Sequence, residues 1–174
     1  KADSLEEHPI PQHTSIMHQT PNRTDLITAH GTLLRRYRWD FYVTLTFANS
    51  RYGKLDEGYV LSQWARLVET LNKLQGAQLT WARAIELAPG QTQPHLHALF
   101  GNASHITKQD FKNIWHVSTG LVDVRRYDEG LNAGFYLAKS FETLDFSSNL
   151  GSVKRPKASL SPQDGIPLWL YLYT

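Results

Sequence analysis

Two histidines stand two positions apart, as His95-Leu96-His97, in a short apolar run that predicts a β-strand over residues 94–100. Side chains two apart on a strand point to the same face, so both imidazoles should converge on one point. Imidazole is the commonest neutral metal ligand, and a pair of them needs at least one more partner to hold an ion. Taken alone, the pattern is equally typical of histidines in a core or on a surface.

A carboxylate earlier in the chain is placed to join the two histidines. Residues 79–88 predict the preceding strand, and the short Pro- and Gly-containing loop after it favours a hairpin. If Ala88 faces His95 across that loop, then Glu86 faces His97 on the neighbouring strand. The carboxylate and both imidazoles then lie on one face of the sheet.

Glu86 stands in a mostly apolar strand, where an uncompensated carboxylate is costly. A divalent ion held by Glu86, His95 and His97 would compensate that charge. Two imidazoles and one carboxylate with open positions suit a Lewis acid such as Mn²⁺ or Mg²⁺. The alternative is that Glu86 pairs with Arg83 or with another arginine across the sheet.

A third candidate group lies near the end of the chain, where a helix is predicted over residues 129–142. Tyr136 and Lys139 are three residues apart and therefore share a flank of that helix with Asn132 and Thr143. A tyrosine needs help to act as a nucleophile, because its free pKa is about 10. The alternative is a tyrosine whose ring packs in the core beside a solvated lysine. The predicted core stripe of this helix is Leu131, Phe135 and Ala138.

The rest of the pattern predicts the framework that must position these groups. The predicted strands cover residues 41–47, 79–88, 94–100 and 118–126. Helices are predicted over residues 25–38 and 129–142, and a third follows Asp56, which can cap it. A fourth helix begins at a capping box of Thr107 and Asp110, with Ile106 and Phe111 as a hydrophobic staple. From residue 41 on, the order β-α-β-β-α-β-α predicts an α+β fold, an antiparallel sheet with helices packed on it and a ferredoxin-like or RRM-like core.

Composition limits the function classes. The 174 residues contain no cysteine, which excludes a disulfide scaffold, a thiolate zinc site and a catalytic thiol. No apolar run is long enough to span a bilayer and no signal peptide opens the chain, so we expect no membrane partner and no secretion. A net charge of +2 is too mild to establish a nucleic-acid partner by itself. We expect a flexible arm over residues 1–24, the main domain over 25–142, and a linker over 143–174 with a possible strand from Pro167 to Tyr173.

Three features occur in one order along the chain: the apolar strand Phe41–Phe47, then His95-Leu-His97, then Tyr136-x-x-Lys139. This order resembles that of the HUH endonucleases, whose name describes two histidines separated by a hydrophobic residue. It is most similar to the single-tyrosine rolling-circle replication initiators (Rep), and related transposase nuclease domains share the same histidine motif. The resemblance covers residues 41–142.

The resemblance implies an enzyme that nicks and rejoins one strand of DNA. Glu86, His95 and His97 would hold Mn²⁺ or Mg²⁺, and Tyr136 would form a 5′-phosphotyrosine intermediate with Lys139 in support. The expected partner is single-stranded or stem-loop DNA at an origin or element end, with a host helicase or a helicase region of a longer chain. The expected compartment is the cytoplasm of a prokaryote or the nucleus of a eukaryote.

Scattered cations are the expected contacts with DNA phosphates, and such contacts give affinity without choosing sequence. The candidates are Arg35, Arg36, Arg38, Arg51, Lys108, Lys112, Arg125, Arg126, Lys154, Arg155 and Lys157. Trp81 or Tyr127 could stack on bases, whereas Trp64 and Trp115 are expected in the core.

Three alternatives remain open at this stage. A non-catalytic RRM-like RNA-binding domain would need exposed aromatic residues on its central strands. A different metal hydrolase would use the two histidines and leave Tyr136 without a role. A structural domain of a mobile element would carry the motif residues without binding metal at His95 and His97.

Overall fold

The structure of the chain is a computed structural model, and it describes residues 21–48, 57–86, 93–115 and 119–155. Four helices and five strands occur in these ranges. The helices are α1 (Arg23–Arg35), α2 (Glu57–Gln75), α3 (Lys108–Trp115) and α4 (Ala133–Ala138). The strands are β1 (Phe41–Thr46), β2 (Thr80–Glu86), β3 (His95–Gly101), β4 (Val122–Arg126) and β5 (Asp145–Phe146).

The strands form one sheet in the order β4-β1-β3-β2-β5, and every neighbouring pair is antiparallel. Its first four strands have the order of the ferredoxin-like β-α-β-β-α-β unit, in which β3 and β1 lie at the centre. The predicted α+β class, with helices packed on an antiparallel sheet, is therefore confirmed.

One face of the sheet carries the larger core. Alternate residues of β1 are fully buried there, and α2 and α3 close the layer with their apolar sides. Trp64 and Trp115 are buried in this cluster as predicted, while Trp81 is half-buried and packs its ring against Trp64 at 5.2 Å between centroids. Half-buried Tyr127 packs against a second, smaller core on the opposite face. Neither candidate for base stacking is a fully exposed platform.

The second face is covered in part by α1 and α4. Leu34 of α1 and Leu137 of α4 pack there over the small side chains Ala82 and Ala84 of β2. Because these two helices cover only part of this face, the polar side chains of the central strands border open space there. On this second face lie Glu86, His95, His97 and Tyr136.

Capping residues fix where two of the helices begin. Asn22 and Asp25 form a capping box at the start of α1, so the helix begins inside the arm predicted for residues 1–24. Residues 1–20 of that arm lie outside the described part of the chain. Thr107 and Asp110 form the predicted capping box of α3, with bonds from each backbone N–H to the other's side chain. Asp56, the predicted cap of α2, is outside the described residues.

The chain after α4 returns to the sheet instead of leaving it. β5 pairs with the edge of β2, with Ala82 opposite Phe146 and Arg83 opposite Asp145. A 3₁₀ turn follows at Leu150–Val153, and an isolated bridge joins Lys154 to Tyr37. Residues 143–155 therefore belong to the domain, which corrects this part of the predicted linker. The strand predicted from Pro167 to Tyr173 lies outside the described residues. In the described ranges, no helix combines the length and the apolar character needed to cross a membrane.

Candidate active site

The polar face of the three middle strands brings the candidate residues together. The hydrogen-bonding register sets Thr44 opposite His97 across β1 and β3, and Ala84 opposite His97 across β3 and β2. Residues at even spacing share a face, so His95, Thr46 and Glu86 lie on that same side. The prediction that Glu86 shares a face with both histidines is confirmed.

The predicted hairpin register is wrong by two residues. Glu86 faces His95 directly, and His97 faces Ala84, whereas Glu86 was expected opposite His97. Both registers place the same side chains on the same face, because the side chains of a strand alternate with a period of two. Glu86 nevertheless reaches His97 diagonally, and its Oε2 lies 2.9 Å from His97 Nε2. Arg83, the alternative partner of Glu86, is instead paired with Asp145 at 2.7 Å.

His97 is the most enclosed of the candidate residues, with 5% of its surface exposed. Its Nδ1 lies 3.0 Å from the Tyr42 hydroxyl and 3.1 Å from the Thr44 hydroxyl. A hydroxyl can donate or accept, so these two neighbours accommodate either neutral tautomer of the imidazole. Nδ1 can therefore be held by β1 while Nε2 is directed at Glu86 or at a metal ion.

Burial determines the protonation of this cluster. It lowers the pKa of His97, although the hydrogen bond and the charge of Glu86 act in the opposite direction. Burial also raises the pKa of Tyr42 to about 12. His97 is thus kept neutral near pH 7, and neutral imidazole is the form that binds a metal ion.

Tyr136 approaches the cluster from α4. Its ring centroid lies 5.1 Å from that of His97 and 6.2 Å from that of Tyr42, in both cases edge to face. Partial burial, followed by the negative charge of nearby Glu86, raises the pKa of Tyr136. The residue is 42% exposed, so an external group can reach it. Lys139 lies beside it, with Nζ 4.9 Å from the centre of the Tyr136 ring.

The helix that carries Tyr136 is shorter than predicted. The predicted helix over residues 129–142 is a 3₁₀ turn at Glu129–Leu131, the six-residue α4, and a second 3₁₀ turn at Phe141–Thr143. The break lies at Asn132, whose φ of 52° is in the left-handed region. The predicted core stripe is therefore wrong for Leu131, which is 71% exposed. The buried residues of α4 are Ala133, Gly134, Leu137 and Ala138.

The fit of the predicted metal ligands can be tested against these positions. Two ligand atoms at right angles around Mg²⁺, each about 2.1 Å from the ion, lie about 3 Å apart. His97 Nε2 and Glu86 Oε2 lie 2.9 Å apart, which is the length of the hydrogen bond that they share as well as the spacing of two such ligands. The ring of His95 is farther away, 6.4 Å from that of His97, and no group of three or more potential ligands is close enough for a metal ion among the described residues. Donor types and two of the three positions fit a divalent ion.

An open cleft of about 480 Å³ borders this cluster. Tyr42, Thr44, both histidines and Tyr136 form one side of it. Residues of β4 and of the segment after it also line the cleft and mix charged and apolar groups: Asp123, Arg125, Arg126, Asp128, Leu131 and Ala133. Its volume is in the range of sites for small ligands, which is roughly 300–1,000 Å³.

The predicted DNA-binding cations do not form one surface. Arg125 borders the cleft and is paired with Asp123 at 2.8 Å. Arg126 also borders it, but its guanidinium carbon lies 4.3 Å from the centre of the Phe41 ring. Lys108 and Lys112 are exposed on α3, in the layer on the opposite face of the sheet.

The basic cluster at the end of α1 is also divided. Arg36 is only 6% exposed, a placement that does not support a contact with DNA. Arg38 is exposed, and the guanidinium carbon of Arg35 lies 5.9 Å from the centre of the Phe135 ring. Arg155 is bonded to Glu129 and Lys154 is exposed, while Arg51 and Lys157 lie outside the described residues.

Sequence reasoning gave no role to Tyr42 and Thr44, although both contact His97. Their signal was present in the alternation of β1, where every second residue is apolar and buried while Tyr42, Thr44 and Thr46 lie between them. Polar side chains that regularly alternate with buried ones border a second face, and here that face holds the histidines.

Comparisons of the chain with protein-family models, with curated proteins and with solved structures return no match.

Proposed function

We propose that this chain is a metal-dependent endonuclease of the HUH type, which nicks single-stranded DNA and transfers the strand through a 5′-phosphotyrosine intermediate. One observation carries the proposal: Glu86 and Tyr136, from two other elements, both contact His97, and His97 and Tyr136 line an open cleft. A phenol, a carboxylate and a neutral imidazole at one point are the groups that phosphoryl transfer onto tyrosine requires.

Glu86 and His97 would hold the divalent ion, Mn²⁺ or Mg²⁺, and His95 stands opposite Glu86 in the register as the third donor. When bound, such an ion supplies Lewis-acid polarisation of the scissile phosphate. The negative charge of Glu86 opposes ionisation of the Tyr136 phenol, so the nucleophile needs a compensating positive charge at that carboxylate. This requirement supports a metal-dependent reaction.

Tyr136 supplies the nucleophilic oxygen. As its phenol oxygen bonds to phosphorus, its proton passes to solvent, to which the side chain is exposed, and the 3′-oxygen leaves with a proton from solvent. One phosphodiester bond is exchanged for one phosphotyrosine bond, so a 3′-hydroxyl can reverse the step and rejoin a strand. Lys139 lies close enough to Tyr136 to stabilise the charge that develops on the phosphate.

The shape of the cleft favours an unpaired substrate. Tyr136 packs against His97 and Tyr42 on the sheet face, and the cleft that it lines has the volume of a small-molecule site. A strand that is free of its complement can bend into such a site. The substrate we propose is accordingly single-stranded or stem-loop DNA. The protein would act in the cytoplasm of a prokaryote or the nucleus of a eukaryote, where a helicase would unwind the DNA and expose the strand.

The test is a covalent-adduct assay. The chain is incubated with Mn²⁺ or Mg²⁺ and a diverse pool of labelled single-stranded oligonucleotides, and products are separated on a denaturing gel. Tyr136→Phe removes the nucleophilic hydroxyl, and Tyr59→Phe is its matched control, because Tyr59 is similarly exposed at 40% but stands on α2, on the opposite side of the sheet.

We expect an adduct in the unmodified chain and in Tyr59→Phe, and none in Tyr136→Phe or with EDTA. Oligonucleotide binding that is seen on a native gel but lost on the denaturing gel, with no adduct from any oligonucleotide, would instead support an RRM-like binding domain. Metal-dependent cleavage that persists in Tyr136→Phe would support a hydrolase that uses water as its nucleophile.

A further inference from the structure

The chain that follows α4 is attached to β2 by one side chain. The Thr143 hydroxyl accepts a hydrogen bond from the Ile85 N–H at 2.9 Å and donates to the Ile85 carbonyl at 2.7 Å. Ile85 directly precedes Glu86, the last residue of β2. The contact therefore links the segment beyond Tyr136 to the strand that carries Glu86.

The register of the sheet explains why a side chain makes this link. β5 pairs with β2 so that Arg83 faces Asp145. Continued by two residues, the same register sets Ile85 opposite Thr143, but the backbone there has already entered the 3₁₀ turn Phe141–Thr143. The Thr143 hydroxyl satisfies both backbone groups of Ile85, as a residue of a longer β5 would have done.

The other side of the same segment is held by α1. Arg23 donates to the carbonyl of Lys139 and to the carboxylate of Glu142, both at 2.8 Å, and its guanidinium carbon lies 5.3 Å from the centre of the Phe141 ring. The Arg23–Glu142 ion pair is exposed and so contributes little by itself. The direct connection between the segment after α4 and the end of β2 is the Thr143–Ile85 pair.

We propose that Thr143 is a positioning residue that holds Tyr136 beside the Glu86–His97 pair. α4 has six residues, and a helix of that length has little stability of its own, so its neighbours set its position. A fixed end seven residues after Tyr136 limits how far the phenol can move from the carboxylate at the end of β2. The catalytic consequence rests on the proposed function, whereas the restraint on α4 can be measured without it.

Two substitutions separate the hydroxyl from the rest of the side chain. Thr143→Val keeps the branched shape and removes the hydrogen bonds, while Thr143→Ser keeps the hydroxyl. Thr143 is exposed, so the backbone groups of Ile85 can turn to water in the valine variant, and we expect the chain to fold. Thr70→Val is the matched control, because it removes a hydroxyl that donates to the Arg66 carbonyl on α2, far from the site.

The first measurement is single-turnover adduct formation with Mn²⁺ and a labelled oligonucleotide. A misplacement of the order of 1 Å in a reacting group can cost up to about 100-fold in rate. We expect the rate of the bound complex to fall about 10-fold in Thr143→Val, with an unchanged Kd for the oligonucleotide and with near-normal rates in Thr143→Ser and Thr70→Val. A normal rate in Thr143→Val, or an equal loss in Thr143→Ser, would overturn the proposal.

The second measurement is amide hydrogen exchange without DNA or metal. The amides of Tyr136 and Lys139, which bond to the carbonyls of Asn132 and Tyr136, report on α4. We expect them to exchange about fivefold faster in Thr143→Val alone, because the lost hydrogen bonds to Ile85 are exposed and water replaces part of their contribution. Unchanged exchange there, or general unfolding of the variant by circular dichroism, would contradict a local positioning role. If the unmodified chain forms no adduct, the proposed function fails, and the exchange data still decide whether Thr143 restrains α4.

Discussion

Replacing Gly31 by alanine tests how α1 and α4 are packed. A Cβ atom at Gly31 would lie 2.3 Å from Cδ1 and 2.6 Å from Cγ of the Phe135 ring. Carbon atoms in good contact are about 3.5 Å apart, so the ring must retreat by about 1.2 Å. Because Cγ is at the base of the ring, rotation of the ring alone does not relieve the overlap, and the Phe135 side chain or α4 itself has to shift.

Two opposing effects set the free energy of unfolding of Gly31→Ala. Alanine in place of glycine inside a helix contributes up to about 1 kcal/mol in favour of the folded state. Overpacking of a fitted contact costs about 1–3 kcal/mol. We expect a net loss of about 1 kcal/mol, together with slower adduct formation, because α4 carries Tyr136.

Urea denaturation followed by circular dichroism measures this difference. Gly151→Ala is the control, because a Cβ there has no neighbour within 4 Å. In a Phe135→Ala background, where the ring is absent, Gly31→Ala should stabilise the fold by up to about 1 kcal/mol. The change from a loss of about 1 kcal/mol to a gain of about 1 kcal/mol corresponds to a coupling energy of about 2 kcal/mol between the two positions. A Gly31→Ala variant as stable as the unmodified chain, or one with the same loss in both backgrounds, would refute the reasoning.

Three further outcomes follow from single contacts. Arg83→Met should lower the free energy of unfolding in urea by about 2 kcal/mol, since it removes the ion pair with Asp145 and the stacking of the guanidinium on two tryptophan rings. An Arg83→Met variant as stable as the unmodified chain would contradict this. Burial lowers the pKa of His97 below the 6.5 of free imidazole, so as the pH falls the imidazole is protonated in the unfolded chain before it is protonated in the folded one, and the free energy of unfolding should decrease as pH drops through about 6.5. In EDTA, His97→Gln should flatten this part of the plot of stability against pH. An unchanged slope would refute the assignment of the pH dependence to His97. Asn132→Ala should lower the free energy of unfolding by about 1 kcal/mol and Asn132→Gly should not, because glycine adopts the left-handed φ of this position without strain and alanine does not. Equal urea midpoints for the two variants would contradict this expectation.

The sheet could be predicted because its side-chain pattern is local. β1 and β3 are apolar runs bounded by polar or turn residues, and the order of elements leaves few topologies for an antiparallel sheet. The register between β2 and β3 could not be predicted in the same way, since a slip of two residues keeps every side chain on its face. The hydrophobic pattern is therefore equally satisfied when Glu86 faces His97 and when it faces His95.

The candidate site was predicted in part for a related reason. The residue types and their shared sheet face predicted that Glu86 and His97 lie close together. The position of Tyr136 depends on the break in the helix at Asn132, and the helical spacing over residues 129–142 contains no sign of that break. β5 is two residues long and depends on its pairing with β2, so no periodicity marks it. The burial of Arg36 was likewise hidden, because a charged residue in sequence gives no indication that its neighbours will enclose it.

β4 forms one edge of the sheet, and none of the described strands pairs with its outer side. Unprotected edges of this kind invite self-association, and charged side chains are a common defence. Asp123, Arg125 and Arg126 are all exposed on this five-residue strand. A variant in which both arginines are replaced by apolar residues to reduce DNA binding would also remove that defence, so its loss of activity should be measured together with its state of aggregation.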